Sequence, residues 1–259
     1  MINENPIGLF DSGIGGTSIW KEVHALMPYE NTIYLADSKN APYGLKSKDE
    51  IIALSCKNTE FLLENNCKII VVACNTATTN AIKELRAKYN VPFIGIEPAI
   101  KPAALQSKTQ TIGILATKGT LNSELFHKNV ANHPDVKIIE QIGHGLVQLI
   151  ENGDMDSAEM EELLKSYLNP MVEKNIDYLV LGCSHYPYLI PQIKKIIPSQ
   201  IKIIDSGEAV AKQTQKILEQ NNLLNLSKRK SSQIFYTNSE PEVLKNILGN
   251  CENVIYKNF

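Results

Sequence analysis

Two cysteines follow apolar segments that read as β-strands, and the residues around them could carry acid/base chemistry. Cys74 ends the segment Lys-Ile-Ile-Val-Val-Ala-Cys, and Cys183 ends the segment Asp-Tyr-Leu-Val-Leu-Gly-Cys. Small polar residues follow each thiol, and in parallel α/β sheets the strand ends and helix N-termini face one crevice. A helix N-terminus lowers the pKa of a nearby thiol from its usual value of about 8.5. We therefore expect both thiols to titrate closer to neutrality and to act as acid and base.

Three kinds of site contain a pair of cysteines, and the spacing favours one of them. A metal site needs three or four local Cys or His ligands, whereas Cys183, His185 and the distant Cys74 are too few. A redox disulfide favours Cys-x-x-Cys, which the sequence lacks. Two thiols on opposite faces of a small substrate remain, and with each sulfur ~3.5 Å from one carbon they lie about 7 Å apart. One would remove a proton and the other would deliver one, so the product is the mirror image of the substrate.

The two cysteine segments belong to a repeat. Gly8 lies in Ile-Gly-Leu-Phe-Asp-Ser and Gly113 in the similar Ile-Gly-Ile-Leu-Ala-Thr. The distance from Gly8 to Cys74 is 66 positions, and the distance from Gly113 to Cys183 is 70. A further 23 positions lead from Cys74 to Glu97 and from Cys183 to Ser206, each of which lies just past the next apolar segment. A repeat of roughly a hundred residues indicates two similar domains rather than a solenoid of short units.

Short segments rich in Ile and Val must position these residues. They predict strands near 6–10, 32–36, 69–73, 92–96, 111–116, 136–140, 178–182, 201–205, 233–237 and 253–256. Helical patterns separate them, the clearest at 156–173, so we predict an α/β fold with mostly parallel, doubly wound sheets. The piece at 233–256 is too small to stand alone and is expected to dock on one of the two domains.

Composition excludes several classes of protein. The 259 residues suit two small domains, and the net charge of −2 gives no footprint for nucleic acid or an anionic membrane. No apolar run approaches the ~18 residues of a membrane helix, and no signal peptide is expected at the start. Five cysteines at scattered spacings favour a reducing compartment, the cytoplasm. Cys56, Cys67 and Cys251 read as small buried hydrophobes.

A glycine-rich turn, Asp11-Ser-Gly-Ile-Gly-Gly-Thr17, lies between the first predicted strand and a helix. Its glycines would let backbone N–H groups approach an anion. Ser18 stands where a dinucleotide motif needs glycine, and no Gly-Lys-Ser/Thr follows, so neither phosphate fingerprint is present. We expect the anion to be a carboxylate, and a tight turn without an anion is the alternative.

Four short motifs follow one another along the chain. They are Asp11-Ser-Gly-Ile-Gly-Gly16, Tyr34-Leu-Ala-Asp37 followed by Pro42-Tyr43-Gly44, Ala73-Cys-Asn-Thr-Ala77 and Gly182-Cys-Ser-His-Tyr-Pro187. Together they resemble the glutamate racemases of the cofactor-independent aspartate/glutamate racemase superfamily, over essentially the whole chain. The resemblance implies a cofactor-independent isomerase that interconverts L- and D-glutamate and supplies D-glutamate for peptidoglycan.

The resemblance also assigns roles to particular residues. It makes Cys74 and Cys183 the proton donors and acceptors, with Asp11, His185 and Glu151 as auxiliary groups. The residues that match the family's substrate-binding positions are Asp11, Ser12, Tyr43, Gly44, Asn75, Thr76, Ser184 and His185.

The resemblance further implies two pseudo-symmetric domains, 1–97 plus 208–259 and 98–207, with the active site in the cleft between them. The expected partner is a small-molecule substrate, glutamate, and the sequence leaves a homodimer open. Two other functions stay open. One is an aspartate or other amino-acid racemase, because one methylene in a pocket is worth only ~1–3 kcal/mol. The other is a non-catalytic amino-acid-binding protein, because two domains around a cleft also suit a binding module.

Overall fold

Ten strands and eleven α-helices form the described part of the protein. The structure is a computed structural model, and it describes residues 3–227, 229–249 and 253–259. The strands are β1 (Ile7–Asp11), β2 (Thr32–Ala36), β3 (Ile69–Val72), β4 (Phe93–Gly95), β5 (Thr111–Ala116), β6 (Lys137–Ile142), β7 (Tyr178–Gly182), β8 (Lys202–Ile204), β9 (Gln233–Thr237) and β10 (Val254–Tyr256). Each overlaps one of the strands predicted from the sequence, so these predictions are confirmed.

The helices alternate with the strands. They are α1 (Thr17–Leu26), α2 (Lys48–Glu64), α3 (Asn75–Lys88), α4 (Ile100–Gln106), α5 (Lys118–Leu121), α6 (Glu124–Ala131), α7 (Leu146–Asn152), α8 (Ala158–Glu173), α9 (Ile190–Ile196), α10 (Gly207–Gln220) and α11 (Glu242–Ile247). Three short 3₁₀ helices span Ser38–Asn40, Tyr43–Leu45 and Tyr186–Leu189. Helix α8 matches the helical pattern at 156–173, and it buries Met160, Leu164, Leu168 and Met171 on one face.

The strands form two sheets in which every pairing is parallel. The first sheet has the order β10-β9-β2-β1-β3-β4, and the second has the order β6-β5-β7-β8. The order β2-β1-β3-β4 in the first sheet therefore repeats as β6-β5-β7-β8 in the second, which is the repeat that the sequence indicated. The C-terminal piece docks on the first sheet, because β9 pairs with β2.

Apolar side chains cover both faces of each sheet. Helices α2 and α3 pack on one face of the first sheet, and α4 and α6 pack on one face of the second. A third cluster contains apolar side chains from both sheets and joins α1 and α10 to α8 and α9. Among the described residues, no helix is long and apolar enough to cross a membrane. Cys67 is buried and Cys56 is half-buried, whereas Cys251 lies outside the described residues.

Candidate active site

Both thiols lie just past the carboxyl end of a buried strand. Cys74 follows β3 and is the N-cap of α3, and its Sγ accepts a hydrogen bond from Ala77 N at 3.4 Å. Cys183 follows β7, but a 3₁₀ helix rather than an α-helix comes after it, so only Cys74 caps an α-helix. Both cysteines are free and buried, and both line one cavity of about 230 Å³.

This cavity brings together most of the predicted site. Its lining residues are Ser12, Pro42, Tyr43, Gly44, Cys74, Asn75, Thr76, Thr117, Val147, Cys183, Ser184 and His185. The predicted auxiliary residues Asp11 and Glu151 do not line the cavity. They are hydrogen-bonded to Ser184 and His185, which do. Sequence reasoning missed Pro42, Thr117 and Val147. The repeat could have indicated Thr117. This residue ends the segment Ile-Gly-Ile-Leu-Ala-Thr, and Ser12 holds the same position in the first copy of the repeat.

Asp11 ends β1 at the base of the cavity and joins the two halves of the protein. Its Oδ1 accepts a hydrogen bond from Ser184 Oγ at 2.9 Å, and its Oδ2 accepts one from Gly13 N at 3.0 Å. Burial raises the pKa of this carboxyl above its usual value, against the lowering effects of His185 and Ser184.

His185 lies between the second thiol and two carboxylates. Its Nδ1 is 3.8 Å from Cys183 Sγ, its Nε2 is 2.5 Å from Glu151 Oε1, and the same Nε2 is 4.0 Å from Asp11 Oδ2. Burial acts to lower the pKa of His185, but the hydrogen bonds with Cys183 and Glu151 and the charge of Asp11 raise it well above its usual value. His185 can therefore hold a proton beside Cys183 at neutral pH.

The glycine-rich turn holds a carboxylate that belongs to the chain itself. Ile14 N donates to Glu151 Oε1 at 2.7 Å, and Ser38 Oγ donates to Glu151 Oε2 at 2.7 Å. A Cβ on Gly13 would overlap Glu151, and one on Gly15 would overlap the ring of His185. The sequence predicted a bound ligand carboxylate at this turn, whereas the carboxylate found there is the side chain of Glu151. The two glycines are required by the close approach of the Glu151 and His185 side chains.

The hydroxyl of Tyr43 is held by hydrogen bonds within the protein and is not free to bind a ligand. It donates to Asp37 Oδ2 and accepts a hydrogen bond from Asn58 Nδ2 at 3.1 Å. The same carboxylate accepts hydrogen bonds from Asn40 and Asn238. This buried network, the Asp37 network, occupies the Tyr43 hydroxyl, so what Tyr43 can offer a ligand is its backbone at the start of a 3₁₀ helix.

Asn75 and Thr76 face the cavity from the first turn of α3. Neither amide atom of buried Asn75 has a hydrogen-bond partner in the described part of the chain. Buried amide groups are normally satisfied, so this one is suited to a ligand. Thr76 Oγ1 lies 2.8 Å from Thr117 Oγ1 and 3.3 Å from Thr120 Oγ1.

The pKa of Cys74 differs from the sequence prediction. Burial raises the pKa of this thiol above its usual value, and the charge of Asp11 adds to the effect. The hydrogen bonds with Ala77 N and Ser12 Oγ act in the opposite direction but are weaker. The expected pKa near neutrality was therefore wrong for Cys74, because desolvation outweighs the helix N-terminus.

The comparisons with known proteins agree with this architecture. The Asp/Glu/hydantoin racemase family model matches residues 17–214. A glutamate racemase from Herpetosiphon aurantiacus is 42% identical over 241 residues, which span 93% of this chain and 95% of that protein. The structure of Escherichia coli glutamate racemase in complex with L-glutamate matches with a TM-score of 0.86 and 31% identity. A Francisella tularensis glutamate racemase in complex with D-glutamate matches with a TM-score of 0.84 and 30% identity, and each match covers 98% of both chains.

The chain belongs to the Asp/Glu/hydantoin racemase family and is an isomerase. The relative and both structures are glutamate racemases, which places the chain in that branch of the family.

Proposed function

We propose that this chain interconverts L- and D-glutamate with two thiols and no cofactor. The observation that carries the proposal is that Cys74 and Cys183, from equivalent strand ends of the two sheets, line one small cavity. Similar structures hold L-glutamate and D-glutamate, the two enantiomers that such a site must accept.

In the proposed reaction one cysteine acts as a thiolate and the other as a thiol. The thiolate takes the α-proton from one face of the substrate, and the thiol gives its proton to the opposite face of the carbanion. The first sulfur ends protonated and the second ends as a thiolate, so the reverse reaction starts from the product state.

The α-proton is a weak acid, so hydrogen-bond donors must stabilise the charge that develops when it leaves. The free amide of Asn75, the hydroxyl of Thr76 and the backbone at Tyr43 and Gly44 can supply them. One lost donor of this kind typically costs ~3–4 kcal/mol in the transition state. His185, held by Glu151 and Asp11, can exchange a proton with Cys183.

We further propose the domain boundaries, the use of the product and the cellular location of this activity. The domains are 1–97 plus 208–259 and 98–207, which is supported by the strands of each sheet coming from these ranges. The product D-glutamate supplies peptidoglycan synthesis. A cytoplasmic location fits two catalytic thiols that must stay reduced.

Proton NMR of L-glutamate in D2O with the purified protein tests the proposal, together with chiral detection of D-glutamate. We expect loss of the α-proton signal and formation of D-glutamate without added cofactor. Cys74→Ser and Cys183→Ser should each abolish inversion, whereas Cys56→Ser, a half-buried thiol outside the cavity, should keep it. Full racemisation by either cavity variant would contradict the two-thiol assignment. Activity with aspartate but not glutamate would move the substrate to the sister enzymes.

A further inference from the structure

Two outer cavities adjoin the cysteine cavity through shared lining residues. One, of about 370 Å³, shares Pro42, Gly44, Thr117 and Val147 with the cysteine cavity. The other, of about 610 Å³, shares Gly44 with both. We call these two outer cavities together the mouth.

The mouth is positively charged in a chain whose net charge is −2. Lys46, Lys48 and Lys118 line it, and in the part of the chain that the structure describes no Asp or Glu lines it. Exposed Lys118 lines both outer cavities and makes no ion pair with the described residues. The other two lysines have acidic neighbours.

Those acidic neighbours differ in how much charge they offset. Glu84 lies 3.9 Å from Lys48 Nζ. The pKa of Glu50 is lowered first by hydrogen bonds with Ser47 and only then by the charge of Lys46. Lys118 therefore carries the positive charge of the mouth that acidic neighbours offset least, followed by Lys46.

Among the described residues, no lysine or arginine lines the cysteine cavity itself. Of these lining residues, only His185 can carry a positive charge, and it is already paired with Glu151. Substrate carboxylates would therefore be held inside by neutral donors. Cationic attraction is placed outside, where it can act on an approaching anion but cannot contact the reacting carbon.

We propose that Lys118, assisted by Lys46, forms an approach site that concentrates the dicarboxylate substrate at the mouth before it enters the cysteine cavity. The inference rests on the proposed function for the identity of the anion. A cleft lined by one sign of charge focuses the field and raises the local concentration and association rate of an oppositely charged ligand. Because both enantiomers carry the same charge, the site aids both directions of the reaction equally.

Charge reversal at Lys118 tests the proposal against a matched control. The variants are Lys118→Glu, the neutral Lys118→Gln and the control Lys194→Glu, an exposed lysine beside a different surface cavity. Each is assayed for racemisation in both directions at low and high salt. We expect Lys118→Glu to lower kcat/KM about 3- to 10-fold at low ionic strength, mostly through KM. At about 1 M salt, where the Debye length is about 3 Å, the loss should nearly vanish.

Four outcomes would overturn the inference. A loss that is the same at both salt concentrations would mean a steric effect at the mouth. A loss shared by Lys194→Glu would mean an effect of total charge. An unchanged kcat/KM in Lys118→Glu, with wild-type protein active on glutamate, would remove the approach site and leave the proposed function intact. Wild-type protein without glutamate racemisation would overturn both.

Discussion

Cys74 and Cys183 are equivalent in the repeat but lie in different electrostatic surroundings. Cys74 Sγ donates a hydrogen bond to Ser12 Oγ and accepts one from Ala77 N, and a negative charge lies nearby at Asp11. Cys183 instead has a ring nitrogen of His185, which is itself held by Glu151. In the proposed reaction each thiol acts as both base and acid, and the two thiols have different neighbouring groups for these roles. Asp11 takes part in both surroundings.

Asp11→Asn should lower the pKa of Cys74. The negative charge of Asp11 makes the thiolate less favourable, so its removal moves thiol titration to lower pH, although burial still raises the pKa. The measurement is ultraviolet thiolate absorbance against pH, taken as the difference between proteins with and without Cys74. Asp49→Asn, in the exposed first turn of α2, is the control and should leave the titration unchanged. An upward or absent shift in Asp11→Asn would contradict the assigned cause.

At the scale of elements, the sequence predicted where strands begin and end better than it predicted the side-chain contacts between distant segments. Strand ends could be located because aliphatic runs stop at small polar residues, and this placed both cysteines correctly. The Asp37 network could not be predicted, since Asn238 reaches Asp37 across 201 positions of sequence. The partner of the glycine-rich turn, Glu151, likewise comes from α7, and only folding of the second sheet brings it there. Side-chain pairing between distant segments leaves no local pattern to read.

Asn238→Ala should show that the C-terminal piece positions the Tyr43 loop. Asn238 Oδ1 accepts a hydrogen bond from Lys39 N, and its amide donates to Asp37, which holds the Tyr43 hydroxyl. Hydrogen bonds to charged groups contribute ~1.5–3 kcal/mol to stability. The free energy of unfolding, measured with urea, should therefore fall by about that amount in the variant. The KM for glutamate should rise more than kcat falls, because the Tyr43 loop, which we propose contacts the substrate, becomes less ordered.

A matched control separates positioning from general stability. Asn246→Ala, at an exposed position of α11 in the same C-terminal piece, should change neither quantity. If Asn238→Ala lowers stability while KM stays at the wild-type value, Asn238 only stabilises the fold.

At the scale of the whole molecule, the two halves are joined by crossed contacts. The end of β1 in the first sheet meets the residues after the second cysteine, through the bond of Ser184 to Asp11. The residue after β5 in the second sheet meets the residues after the first cysteine, through the contact of Thr117 with Thr76. Both contacts border the cysteine cavity, so the halves are tied together where the substrate should bind.

Thermal unfolding with and without glutamate tests this coupling. The hydrogen bonds at the cleft and the apolar cluster shared by both sheets should make the protein unfold in one transition. A ligand at 100 times its Kd stabilises the native state by about 2.7 kcal/mol. For a chain of this size that corresponds to a rise in Tm of about 5–10 °C. D-Lysine, with a cationic side chain, is the control ligand and should leave Tm unchanged. Two transitions, of which glutamate moves only one, would show that the halves fold independently and that the substrate is held by one of them. A single transition that moves as a whole is expected, because a ligand between two tied halves stabilises both.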